Sequence, residues 1–208
     1  MSSVAGPYGL RAVKLLGDLP FSSGMHTYPL TVNQTKGYFF GDPVGLIGGQ
    51  PVPIAATPTS TLSANSPIGI FYGAEYIDPI RGFVNSQFLP ANVISGGATK
   101  VKLKIMDSPQ LVMQIQANGS IPATAIGLNA GLVGPFAAGN LATGDSLVAL
   151  DASSIAPGTA ATLALRIYDF VYNATPSPGA GSVPGDAFTD VLVVWNFGVH
   201  RFQNGGGQ

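Results

Sequence analysis

Glycine or proline interrupts most windows of this chain that are long enough to hold a helix. In a helix interior, glycine costs about 1 kcal/mol and proline about 3 kcal/mol relative to alanine. Helices are therefore confined to short pieces. Glutamate, a good helix former, occurs once, at Glu75, beside 28 glycines and 17 prolines. Between the interruptions the apolar residues recur with a period of two. Lys100-Val101-Lys102-Leu103-Lys104-Ile105 sets three lysines on one face and three apolar side chains on the other. That is the pattern of a half-buried strand whose basic side meets water or a partner. A second run, 111–116, follows the turn-like Asp107-Ser108-Pro109, so the two read as a hairpin.

Residues 162–171 read as another strand, with Leu163, Leu165 and Ile167 inward. Residues 190–197 are apolar on both faces, as in a central strand or one covered by a neighbouring subunit. Shorter runs at 28–32, 38–40, 44–46, 52–54 and 68–72 complete the set, and only 9–16 and 122–128 offer helical stretches. The expected fold is all-β: an antiparallel β-sandwich or jelly-roll-like barrel. Residues 1–24 read as an extended N-terminal arm, 25–203 as one β-domain and 204–208 as a flexible tail. Within the domain, 78–99 read as a long loop with apolar content and 173–187 as a Pro/Gly/Ser loop.

Charge narrows the function classes. Only 9% of residues are charged, against about 25% in a typical soluble domain. Such a surface suits a protein packed against copies of itself or a lattice. The net charge of −1 gives no basic footprint for nucleic acid. The absence of cysteine excludes disulfides, thiolate metal sites and cysteine nucleophiles. No apolar run of about 20 residues argues for a membrane span. His26 and His200 stand without metal-ligand spacing, so neither a metal nor a cofactor is expected. Gly144-Asp145-Ser146-Leu147 matches the nucleophile block of the GDSL hydrolases. Here it precedes a strand, and His200 has Phe197 rather than an aspartate three residues before it. The tetrapeptide reads as turn chemistry, and no catalytic residue is assigned.

Several short motifs, in order, resemble a family of tailed-bacteriophage capsid decoration (cement) proteins. They are Pro7-Tyr8-Gly9-Leu10-Arg11, Gly41-Asp42-Pro43-Val44, Asp107-Ser108-Pro109 leading to Gln114-Ile115-Gln116, Gly144-Asp145-Ser146, Leu150-Asp151 and the strand Leu163 to Ile167. The resemblance implies a non-enzymatic virion protein made in the bacterial host cytoplasm. It would bind the major capsid protein on the outside of the head, as a homotrimer, and clamp neighbouring subunits. Candidate binding residues are Tyr8, Leu10 and Arg11 on the arm, with Ile80, Phe83, Phe88 and Leu89 on the long loop. Deleting 1–24 is then expected to leave a folded β-domain. The alternative is a head-fibre or receptor-binding module recognising host glycans through exposed aromatic rings.

Overall fold

The computed structural model describes residues 5–20, 24–58, 66–156, 162–171 and 183–197. Among them, thirteen strands build two antiparallel sheets packed against each other, and the only helical element is one 3-10 turn at Ala123–Ala125. The strands are β1 (Arg11–Leu15), β2 (Leu19–Pro20), β3 (His26–Pro29), β4 (Pro43–Ile47), β5 (Gln50–Pro53), β6 (Pro67–Asp78) and β7 (Gly82–Ser86), then β8 (Thr99–Met106), β9 (Leu111–Gln116), β10 (Asn129–Val133), β11 (Ala149–Ala156), β12 (Leu165–Phe170) and β13 (Asp190–Trp195). One sheet runs β11-β10-β12-β13-β9-β1-β2 and the other β3-β8-β6-β4-β5, with β7 paired to β6.

Alternation explains both sheets. In β8, Val101, Leu103 and Ile105 are buried while Lys100 and Lys102 are exposed. Burying each such apolar side chain stabilises the fold by about 2 kcal/mol. In β13 the residues between β12 and β9 are mostly covered, as expected of a central strand. Two apolar clusters result. The first gathers Leu111, Met113, Ile115, Leu165, Phe170, Val193 and Trp195 from the seven-stranded sheet and takes Ile70 and Met106 from the other. The second lies on the six-stranded sheet, where Phe71, Leu103 and Ile105 pack under Tyr38 and Leu89. A bridge between Ala117 and Leu150 ties β11 back to the end of β9, curling the larger sheet around its core.

Six expectations are corrected. The runs 100–105 and 111–116 do not form a hairpin: β8 pairs with β6 and β3, whereas β9 pairs with β1 and β13. Asp107-Ser108-Pro109 carries the chain from one sheet to the other, because both runs have buried faces that belong to different cores. Residues 5–20, the described part of the expected arm, are not free of the domain. Arg11–Leu15 is a strand paired with β9 and β2, and Leu10 is 1% exposed. The same pairing replaces the helix read over 9–16, since Leu10, Ala12 and Leu15 all reach the first core. The 78–99 stretch is strand in part. Asp78 Oδ1 accepts the Ile80 and Arg81 amides and Gly82 adopts φ +76, so the chain turns back at once and β7 pairs with β6. Residues 38–40 make two isolated bridges instead of a strand. The 122–128 stretch holds only the 3-10 turn. His200, the 204–208 tail and most of the 173–187 loop lie outside the described residues.

Candidate functional site

Three of the motifs that stand far apart in sequence meet at one buried junction. Gly9 and Gly41 both have positive φ, +74 and +89. A Cβ on Gly9 would stand 2.6 Å from Ser146 Cβ and 2.7 Å from Gly41 O. The Leu10 amide donates to Gly41 O at 2.9 Å, the Phe40 amide to Gly144 O at 2.8 Å and the Ser146 amide to Phe40 O at 3.0 Å. Asp42, 1% exposed, accepts the Ser146 hydroxyl at 2.5 Å and the Phe39 amide at 2.9 Å. Burial pushes its carboxyl up to about 7, against the pull of those two hydrogen bonds.

The polar side chains of the supposed arm close this junction from outside. Arg11 pairs with Asp145 at 2.6 Å and its guanidinium lies 4.0 Å from the centre of the Phe40 ring. Gln87 Nε2 donates to the same Asp145 oxygen at 3.0 Å. The Tyr8 hydroxyl donates to Asp190 at 2.7 Å, and burial together with that carboxylate raises the phenol well above its ordinary range. Tyr8, Leu10 and Arg11 are therefore engaged inside the molecule. Leu10 is buried, while Tyr8 and Arg11 stay partly exposed and form a clasp within the molecule. Ser146 is fully buried, and its hydroxyl is committed to Asp42 and the Val148 amide. Gly144, at φ +78, supplies the turn that its tetrapeptide suggested. His26 Nδ1 meets Asp107 at 2.6 Å, beside Tyr28, whose hydroxyl reaches the same oxygen at 2.7 Å. This cluster pins β3 to the crossing between sheets.

The remaining candidates divide. Leu89 is 1% exposed and bridges Tyr38, and Phe88 is half-buried, stacked on Phe39 with ring centres 6.0 Å apart. Both serve the packing of the 87–98 segment. Ile80 and Phe83 are different: they are 92% and 70% exposed at the tip of the β6–β7 hairpin. Behind that tip, cross-strand pairs set rows on the outer face of the six-stranded sheet. Phe83, Ile77 and Thr99 form one row, and Asn85, Glu75, Lys102 and Pro29 form the next. Glu75 pairs with Lys102 at 3.4 Å and with Lys104 at 3.6 Å. A groove of about 540 Å³ opens here, with Pro29, Ile77, Phe83 and Ile94 among its apolar walls and Lys100 and Lys102 at its polar side.

Sequence reasoning flagged the lysine-bearing face but not the groove. Its walls come from β3, β6, β7 and β8, so no local pattern joins them. Comparison with protein-family models, curated proteins and solved structures finds no match. Among the described residues no helix is long and apolar enough to cross a membrane, and no group of three His, Asp or Glu side chains is placed to hold a metal ion.

Proposed function

We propose that this chain is a structural protein of a phage head. It binds the outer surface of the shell as a homotrimer and cements neighbouring capsid subunits. The observation that carries the reading is the β6–β7 hairpin. A turn held by Asp78 presents Ile80 and Phe83 to solvent on a chain that is otherwise sparing with surface charge. Large exposed apolar side chains on a rigid element are the usual anchors of a protein interface. A protein that binds only the assembled shell stabilises it by mass action, and several copies per site add avidity. The burial of Ser146 supports a structural rather than a hydrolytic use of its motif.

The test is add-back to purified heads that lack the protein, read by co-sedimentation and by the temperature at which heads release DNA. The wild-type chain is expected to bind and to raise that temperature. Ile80→Ser with Phe83→Ser is expected to leave the fold within about 0.5 kcal/mol of wild type, because both side chains are exposed, yet to abolish occupancy. A double variant that fills heads as wild type does would refute the reading.

A further inference from the structure

We propose that the groove on the outer face of the six-stranded sheet is a docking site for an extended, acidic segment of the partner, with apolar side chains alternating between its carboxylates. This rests on the head-binding reading for the identity of the partner, but not for the chemistry. Charge on this chain is scarce and unevenly placed. Four of its 9 Lys and Arg residues, Arg81, Lys100, Lys102 and Lys104, stand at this hairpin end, against Glu75 and Asp78. The surface there is net positive on a chain whose overall charge is −1.

The cations are not all spent internally. Glu75 engages Lys102 and Lys104, and Asp78 is committed to the Arg81 and Ile80 amides, which hold its carboxyl below the ordinary range. Lys100 has no carboxylate partner among the described residues and is exposed. Its backbone is also unusual. It sits at φ +54 in a β-bulge, where the register passes from Glu75↔Lys102 to Ile77↔Thr99. Non-glycine residues are uncommon in the left-handed region, and bulges re-aim side chains next to functional sites.

Beside Lys100 the walls are apolar: Ile77 and Phe83 in one row, Pro29 in the next and Ile94 beyond. An extended segment repeats its side chains every two residues. One side would lay apolar groups along Phe83, Ile77 and Pro29. The other would bring carboxylates to Lys100 and to Lys102, whose pairing with Glu75 is long at 3.4 Å and half-exposed. Of the charged groups that line the groove, Lys100 and Lys102 outnumber Glu75, so a basic segment would be disfavoured, which gives the groove a sign preference.

The probe is a fluorescein-labelled heptapeptide of alternating valine and aspartate, titrated with the full chain at low and moderate salt and read by anisotropy. Its valine–lysine counterpart is the control. Binding of the acidic peptide alone, weakened by salt, is the expected result. Lys100→Glu and Phe83→Ser should each weaken it by about tenfold or more, while Lys36→Glu, outside the groove, should not. Equal binding of the two peptides, or indifference to Lys100→Glu in a variant that melts like wild type, overturns the proposal. So does failure of the acidic peptide to bind, whether or not a sialylated oligosaccharide binds in its place. Failure of the wild-type chain to occupy heads would remove the capsid as partner and leave the groove's chemistry standing on the peptide result.

Discussion

Gly9→Ala tests whether the motif convergence is architectural. Two separate costs arise. The residue sits at φ +74, where an L side chain costs about 1–2 kcal/mol. Its new Cβ would also lie 2.6 Å from Ser146 Cβ and 2.7 Å from Gly41 O, closer than real Cβ contacts come. Both neighbours are held, Ser146 by Asp42 and Gly41 by its hydrogen bonds to Leu10 and Phe71. Relieving the clash by moving backbone costs about 1–3 kcal/mol more. The expected total is about 3–4 kcal/mol. Gly17→Ala separates the terms, because Gly17 has φ +83 but nothing within 4 Å of the added Cβ. It should lose only about 1–2 kcal/mol. Urea unfolding with both variants gives the difference directly, which for a chain of this size is a Tm gap of several degrees. Equal destabilisation by the two substitutions would refute the claim that the junction is closely packed.

The other predictions concern the same region. Burial raises the Asp42 carboxyl from 3.8 to about 7, so the folded state holds its proton more tightly than the unfolded state does. Its contribution is then fully present below about pH 4 and is lost as pH rises towards 7, by up to about 4 kcal/mol. The wild-type urea midpoint should fall across that window and flatten in Asp42→Asn; a wild-type midpoint that climbs with pH across that window would contradict this. Leu10→Ala should cost about 3 kcal/mol, measured by thermal melting, as expected for a leucine 1% exposed in a core. Removing residues 1–24 should do worse and leave no cooperative transition, because it strips β1 from the edge of β9; a sharp transition at the wild-type midpoint would count against the strand's role.

Much of the fold was legible where a pattern is local. The 100–105 and 111–116 runs became β8 and β9, and β8 buries the face that its alternation assigned. Their pairing was illegible. Asp-Ser-Pro permits a turn, but whether the chain folds back or crosses to a second sheet depends on β1, β6 and β13, far away in sequence. Residues 9–16 misled for a related reason: the spacing of Leu10, Ala12 and Leu15 fits either period, and the open edge of β9 decided it. Ile80 and Phe83 were named as surface residues from an apolar loop and stand exposed, whereas Leu89, from the same stretch, was drawn under Tyr38. Exposure of that kind is set by which neighbour covers a residue, which a single sequence does not encode locally.

The clasp at the N-terminus also sets a timetable. Arg11 finds Asp145 across 134 residues and Tyr8 finds Asp190 across 182. Tyr8 and Arg11 are thus made long before these partners are. At synthesis rates of about 5–20 residues per second, the wait is on the order of ten seconds or more. Until β9 is made, the Arg11–Leu15 strand lacks the β9 edge that it joins, and closing so long a loop is slow once it begins. Because Tyr8 is held by Asp190, closure of this clasp waits for the synthesis of β13.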